Sequence, residues 1–301
     1  MFRALSSPVR AASRADGPSP PPSVVVARSF DGGVPRLGLD RPLSLLGGHA
    51  LSPAVLPGAL GLDWLPQVQD VVGRASLSLA RARAGFFRMQ PTALTARKGS
   101  GRAHVAGRIA RVAGLPLLRV DVGGERGAAR LLPPVRECDY ASPSPIVVCM
   151  AATRCANPIV LLEGVEYARD ETVELLASMM DPAGCARWTD DALLCSIDLR
   201  GVSWLLSLPG PGVVPAGLGH LVRESADAST GNQDDQWLCK LSILLEAMDD
   251  LDVRDIGHNA IQAIVGSMEV ERFSGGAHSL YDLARQKLLA GPDAATAPPD
   301  W

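Results

Sequence analysis

The chain has 301 residues, of which 47% are hydrophobic, enough to bury one sizeable core and a smaller second unit. Its formal net charge is −3, so it lacks the positive excess that neutralises nucleic-acid backbones or anionic lipid heads. No apolar run approaches the roughly 20 residues that span a bilayer. We therefore expect neither a nucleic-acid nor a membrane partner.

The cysteines and the first residues bear on metal binding and location. The six cysteines form no CxxC pair and have no histidine at zinc-ligand spacing, which predicts reduced, buried thiols and no metal site. The opening MFRALSSPVRAASRADG carries Arg and Ser and few acids, as organellar transit peptides do. Because the whole chain favours Arg, Ala, Gly and Pro, we prefer a disordered tail and predict a cytoplasmic location.

The first 90 residues divide into two predicted parts. Residues 1–55 contain the run PSPPP and only short apolar patches, which predicts a disordered, low-complexity arm. Residues 56–90 are predicted to be a helical linker. From Trp64 to about Gly85, apolar residues recur at three- and four-residue spacing, as they do in an amphipathic helix.

The rest of the chain changes from mixed to purely helical patterns. Within residues 91–224, short apolar runs alternate with helical patterns, which predicts a parallel sheet covered on both faces. The predicted strands lie at 92–95, 117–122, 157–162 and 202–208, and the helices at 101–113 and 171–180. Residues 225–290 show helical periodicity from Asp234 onward and are predicted to form an all-α unit, followed by a tail at 291–301.

One loop lies where a phosphate-binding loop would lie. The segment Ala96-Arg-Lys-Gly-Ser-Gly-Arg-Ala103 follows a strand and opens a helix, the setting of the P-loop GxxxxGK[ST]. In that motif the Lys reaches the phosphates and the hydroxyl holds Mg²⁺, but here Arg102 and Ala103 replace them. An anion could still bind at the helix N-terminus, through Lys98, Gly99, Ser100, Gly101, Arg102 and Ala103. The alternative is that Lys98 and Arg102 are solvated loop charges.

A dinucleotide-binding fingerprint is a second interpretation of the same loop. Gly99 and Gly101 are followed about 20 residues later by Asp121 at the end of a predicted strand. The third small residue of the fingerprint would be His104, whose bulk opposes close packing of helix on strand. We therefore disfavour this interpretation.

Several segments together resemble the Lon branch of the AAA+ ATPases. ANPIVLLEGVE at 156–166 resembles the Walker B strand of that branch, in which an apolar run after Asn-Pro ends in Asp-Glu-Ile-Asp. The resemblance continues through VELLASMMDP at 173–182, the segments at 186–194 and 197–206, and VPAGL at 214–218, with LPLLRVDVGG at 115–124 upstream. It spans about residues 91–222, with a weaker match to near 280. It implies an α/β fold with a P-loop-type parallel sheet flanked by helices, plus a C-terminal all-α lid.

The same resemblance implies that the catalytic side chains are lost. Glu163 stands at the Walker B Asp, and Gly164 stands at the Glu that activates water. The other replaced positions are Pro209 for the sensor-1 Asn, Leu221 for the arginine finger and His278 near the sensor-2 Arg. Losing a positioned base costs about 10²–10⁴ in rate, and losing an arginine finger costs about 10³–10⁵. We therefore predict no catalytic residue, and keep Glu163 only as part of the binding site.

Two neighbouring residues could substitute for lost groups. Glu166 lies two residues after Gly164, on the same side if the strand continues, and Arg223 lies two residues after Leu221. A displacement of about 1 Å already costs about 10²-fold, so we disfavour both. Tyr140 lies where AAA+ unfoldases carry an aromatic that grips a polypeptide, although a packing role is favoured. We expect Trp188 and Trp204 to anchor the core.

The expected function is therefore that of a Lon-like AAA+ module without a protease unit. We expect a pseudo-ATPase that acts as a binding or scaffolding subunit, with a protein partner or an AAA+ paralogue in a homo- or hetero-oligomeric ring. ATP is the one cofactor implied, bound weakly and without dependence on Mg²⁺. The alternatives are an ATP-binding AAA+ ATPase with weak hydrolysis that remodels a protein client, and a product that has drifted without function.

Overall fold

The computed structural model describes residues 21–29, 36–48, 60–97, 100–133, 142–229, 233–254, 256–268 and 280–290. Its strands are β1 (Ser23–Val24), β2 (Ala27–Ser29), β3 (Leu43–Ser44), β4 (Thr92–Thr95), β5 (Leu117–Asp121), β6 (Ile159–Glu163), β7 (Trp188–Asp190), β8 (Cys195–Ile197), β9 (Ser203–Leu208) and β10 (Glu224–Asp227). Its helices are α1 (Pro66–Arg81), α2 (Arg102–Ala113), α3 (Gly127–Leu131), α4 (Pro145–Thr153), α5 (Asp170–Met180), α6 (Ala216–Gly219), α7 (Gln233–Asp250), α8 (His258–Ser267) and α9 (Leu280–Ala290).

A five-stranded parallel sheet in the order β10-β4-β9-β6-β5 forms the centre of the fold. Along β6, Val160 and Leu162 pack into the core on one face of the sheet. Ile159 and Leu161 pack into the core on the other face. A strand buried on both faces must be apolar throughout, which explains the run Ile-Val-Leu-Leu. The predicted α/β fold with a P-loop-type parallel sheet flanked by helices is confirmed.

Helices cover both faces of this sheet. On one face, α1 contributes Val68 and Val72, and α2 contributes Val105 and Ile109. On the other face, α4 and α5 contribute residues such as Met150 and Leu176. Pro66 opens α1, where its missing N–H costs no hydrogen bond. Gly114 ends α2 at φ 64°, a left-handed conformation that favours glycine.

The C-terminal helices α7, α8 and α9 form a core of their own, as the predicted all-α unit requires. Buried residues from all three helices, including Leu244, Val265 and Leu283, make one apolar cluster. Trp64, in the segment before α1, packs against this cluster and against the apolar cluster that α1 and α2 form with one face of the sheet. The helical unit therefore rests on the sheet domain through apolar contact.

Within the described ranges, no helix is both long and apolar enough to cross a membrane.

The predicted disordered arm is wrong for residues 21–29 and 36–48. Strand β2 pairs antiparallel with β8, with Ala27 opposite Ile197, and extends a three-stranded sheet in the order β2-β8-β7. Leu39 and Leu43 are fully buried in the main core. Two- and three-residue strands between Pro and Gly residues give too little periodic pattern for sequence analysis to detect. Residues 1–20, 49–59 and 291–301 lie outside the described residues, and the boundaries at 90, 224 and 290 remain predictions.

A buried amide ties this N-terminal segment to the sheet. The Asn157 side chain accepts a hydrogen bond from Leu46 N at 2.8 Å and donates to Leu46 O at 3.0 Å. It also donates to Phe87 O at 2.8 Å. Because a buried amide without partners would cost about 1–3 kcal/mol, Asn157 and residue 46 stabilise each other.

The two valines before β2 test whether this segment belongs to the core. Val26 is 3% exposed and Val25 is 42% exposed. We expect Val26→Ala to lower the free energy of unfolding by roughly 1–2 kcal/mol, because it removes two buried methyl groups. Val25→Ala is the matched control and should change it by less than about 0.5 kcal/mol. Urea denaturation measures both, and equal small effects would restore the arm prediction.

Candidate functional site

The carboxyl ends of the parallel strands bring the predicted binding residues together. Ser100 and Gly101 precede α2, and Arg102 and Ala103 are its first two residues. Glu163 ends β6 at the same edge of the sheet. Gly101 adopts φ 88°, a left-handed conformation that favours glycine and turns the chain from the loop into α2. Lys98 and Gly99, also predicted to bind, lie outside the described residues.

Three polar atoms around this loop are buried without a hydrogen-bond partner in the described part of the chain. They are Ser100 Oγ, Arg102 Nη1 and Glu166 Oε2. Burial lowers the pKa of the Arg102 guanidinium, while the charges of Glu166 and Glu163 raise it. These carboxylates therefore lie near Arg102 without pairing with its Nη1 atom. Each unpaired buried atom costs about 1–3 kcal/mol, a cost that a bound anion contacting Ser100 and Arg102 would relieve.

The Glu163 carboxylate is already engaged. Arg119 on the neighbouring strand β5 donates from Nε and Nη2 to the two carboxylate oxygens, each at 3.1 Å. This bidentate geometry is the strongest arrangement that an arginine and a carboxylate form. Ala103 offers no hydroxyl, and among the residues that the structure describes no three His, Cys, Asp or Glu side chains are grouped to hold a metal ion. While this pair is formed, the Glu163 carboxylate is not free to hold a metal ion.

Gly164 follows Glu163 and adopts φ 70°. A Cβ atom there would lie 2.9 Å from Asp121 Oδ1 and 3.2 Å from Gly123 Cα. The loops after β5 and β6 are joined by hydrogen bonds from Val122 N to Glu163 O at 2.8 Å and from Gly124 N to Tyr167 O at 2.9 Å. A side chain at position 164 would therefore be strained by the left-handed backbone, and the Asp121 side chain and Gly123 would have to shift slightly to make room.

Glu166 does not lie on a continuation of β6, which ends at Glu163. It lies instead in a 3₁₀ turn at Val165–Tyr167. The expectation that Glu166 faces the same side as position 164 depended on a continuing strand, and therefore does not apply. Pro209 is exposed directly after β9, at the same edge of the sheet as Glu163. His278 and Tyr140 lie outside the described residues.

The remaining predicted positions lie away from this edge. Leu221 is only 4% exposed, with its side chain in the main core. Arg223 is exposed directly before β10, at the amino edge of the sheet. Trp188 and Trp204 are buried in the main core, as predicted.

A polar contact between α2 and α7 was not found from the sequence. His104 Nδ1 lies 2.6 Å from Glu246 Oε2, with both side chains at least nine-tenths buried. His104 Nε2 lies 3.2 Å from Ser242 Oγ. Arg111 adds contacts of 2.9 Å to Glu246 and 3.1 Å to Asp250. The one sequence signal was Glu246 itself, an acid within an apolar run of α7.

The same helix α7 also lies against the backbone at Gly101, in the loop before α2. A Cβ atom on Gly101 would lie 3.2 Å from Cys239 Sγ and 3.7 Å from Ile243 Cδ1. Burial raises the pKa of the Cys239 thiol to about 11, so it is neutral at physiological pH. The helical unit therefore contacts the binding loop through apolar and polar groups together.

Comparison with known proteins gives partial similarity to Lon proteases. The mitochondrial Lon protease homolog of Rattus norvegicus is 30% identical over 122 residues, which cover 39% of this chain and 13% of that protein. The Lon proteases of Frankia alni and Neorickettsia sennetsu are 31% and 26% identical over 131 and 127 residues, in each case 15% of their length. No family model matches the chain. About 40% of the chain is thus related to Lon proteases, and it spans a small part of their length.

Two glycines separate the cost of a left-handed backbone from the cost of the close loop contact. Gly164 and Gly124 have φ 70° and 72°, but a Cβ atom on Gly124 meets no atom within 4 Å. We expect Gly124→Ala to cost about 1 kcal/mol and Gly164→Ala to cost about 1–3 kcal/mol more. Urea denaturation compares the two variants. Equal losses would show that the loops can separate freely.

The Glu246 carboxylate should make stability depend on pH. Burial raises the pKa of Glu246, but the hydrogen bond and charge of His104 and the charges of Arg111 and Arg108 together hold it below its usual 4.5. A carboxyl pKa depressed by folding stabilises fully above the unfolded value, and this stabilisation disappears as pH falls through the folded value. We expect Glu246→Gln to cost about 1–3 kcal/mol at pH 7, and the difference from wild type to shrink below about pH 4.5.

Thermal unfolding from pH 3 to pH 7 checks this expectation. Asp249→Asn is the matched control, because Asp249 is an exposed acid on the same helix. A pH-independent difference between Glu246→Gln and wild type would contradict the assigned ion pair.

Proposed function

We propose that the chain is a Lon-like AAA+ module that binds a nucleotide through its phosphates without hydrolysing it, and that it acts as a binding or scaffolding subunit. The observation that carries this proposal is the backbone at Gly164. Gly164 stands where the family resemblance places the water-activating Glu. Its backbone adopts a left-handed turn, and a Cβ atom added there would lie 2.9 Å from Asp121 Oδ1. The left-handed turn and these close contacts support the proposal, because they disfavour a Glu at this position.

Phosphate binding is supported by the start of α2. The amides at the N-terminus of a helix and its dipole favour an anion, and the buried Nη1 of Arg102 and Oγ of Ser100 are donors without partners in the described residues. Lys98 and Gly99 would complete the loop. Gly101 supplies the left-handed turn into α2 and leaves room for α7, since a Cβ atom there would lie 3.2 Å from Cys239 Sγ.

Binding should not require Mg²⁺. The Glu163 carboxylate forms a bidentate pair with Arg119, and a metal ion would have to displace that guanidinium. Ala103 lacks the hydroxyl that holds the metal in the P-loop motif. The positive charge of Arg102 takes over part of the neutralisation that the metal would supply.

Hydrolysis also lacks the groups that stabilise the transition state. Leu221 is buried in the core and presents no guanidinium, and Pro209 has no side-chain amide to orient water. The costs of such losses do not simply multiply, but any two of them leave little catalysis.

A second candidate function is an ATPase with weak hydrolysis that remodels a protein client. It is favoured by Glu166, whose Oε2 is buried without a partner in the described residues and lies near Arg102. That carboxylate could orient water in place of the missing Glu. In either case we expect the partner to be a protein or an AAA+ paralogue in an oligomeric ring.

Titration calorimetry with ATP, with and without Mg²⁺, tests the proposal together with a turnover assay. We expect binding that changes less than about threefold on adding Mg²⁺, and no turnover above buffer. Arg102→Gln should weaken binding by about tenfold or more, because it removes a charge-assisted donor. Arg126→Gln, an exposed arginine after β5, is the matched control.

Three results would contradict the proposal. Strictly Mg²⁺-dependent binding would show that Glu163 leaves Arg119 to hold a metal. Turnover that Glu166→Gln abolishes would establish the remodelling ATPase instead. Absence of binding in wild type and in both arginine variants would remove the nucleotide from the function altogether.

A further inference from the structure

A cavity of about 150 Å³ lies at the amino edge of the parallel sheet, opposite the phosphate loop. It is formed where residues 88–91 enter β4, residues 199–202 enter β9 and residues 221–223 enter β10. Its apolar wall includes Met89, Met180, Trp204 and Leu221, all of which are buried. The cavity is therefore lined by the core itself and opens between three strand entrances.

Three arginines line the same cavity. Arg200 pairs with Asp198 at 2.6 Å, so its charge is largely compensated. Arg88 donates from Nη1 to the Arg200 carbonyl at 2.7 Å, which orients it while leaving its charge without an acidic partner in the described ranges. Arg223 is exposed and makes no side-chain ion pair with a described residue. The cavity thus combines an apolar wall with about two uncompensated positive charges.

The wall also contains the side-chain amide of Gln90 and the thiol of Cys185. Burial raises the pKa of Cys185, as do the charges of Asp198 and Asp181, against the lowering effect of Arg200 and Arg88. The thiol is therefore neutral and a weak nucleophile. The wall suits binding, not covalent reaction.

We propose that this cavity binds a small carboxylic acid with an apolar body about the size of a benzene ring. A cavity of about 150 Å³ lined by apolar side chains accommodates benzene. An arginine guanidinium binds a carboxylate through two parallel hydrogen bonds, a geometry that its planar fork favours. The ring would lie on Trp204 and Met89, and the carboxylate would face Arg223 and Arg88. The site is independent of the phosphate loop, which lies at the other edge of the sheet.

Benzoate is the probe, and benzamide is a neutral molecule of the same shape. Titration calorimetry on the full chain should give a Kd for benzoate of about 1 mM or tighter, a free energy that nine non-hydrogen atoms can supply. Benzamide should bind at least about tenfold more weakly. Arg223→Gln should weaken benzoate binding by about tenfold, because it removes a charge-assisted partner.

Two controls separate this site from general anion binding. Arg81→Gln changes an exposed arginine outside the cavity and should leave the affinity for benzoate unchanged. Arg102→Gln should also leave it unchanged, whatever its effect on ATP, so the two sites are tested separately. Equal loss in Arg81→Gln and Arg223→Gln, equal binding of benzamide, or no binding at about 10 mM benzoate would each overturn the proposal.

Discussion

Burial of the parallel sheet on both faces is the constraint from which the rest of the structure follows. Because α1 and α2 cover one face and α4 and α5 the other, the sheet strands have little room for charged side chains except near their ends. The two candidate sites accordingly lie at the two edges where the strands begin and end. The carboxyl edge holds Arg102, Glu163 and Glu166, and the amino edge holds the arginine-lined cavity.

At the carboxyl edge, the backbone leaves little room for a side chain at position 164. The loops after β5 and β6 approach each other so closely that neither Gly123 nor Gly164 has room for a Cβ atom without displacement of a neighbour. A Glu introduced at position 164 would be strained by the left-handed turn and would displace the Asp121 side chain.

Much of the fold could be predicted from the sequence because strong local patterns specify it. The apolar runs that became β6 and β9, and the three- and four-residue spacing of α1 and α2, identify elements whose burial extends over several residues. Ser100 to Ala103 and Glu163 lie at one edge of the sheet, since parallel strands bring their carboxyl ends together. No local pattern marks the pair His104 and Glu246, which are 142 positions apart and meet only when the helical unit packs on α2.

The N-terminal segment was missed for a related reason, and its pairing affects how the chain is made. Strand β2 (Ala27–Ser29) hydrogen-bonds to Cys195–Ile197, and Leu46 hydrogen-bonds to Asn157. In both cases, more than 100 further residues must be synthesised before the partner exists. During that interval Val26, Leu39 and Leu43, all buried in the finished protein, are exposed to water. Contacts of such large sequence separation form slowly, and the exposed apolar surface favours aggregation. Residues 27–29 and 46 therefore dock only after the strand β8 and Asn157 have been synthesised.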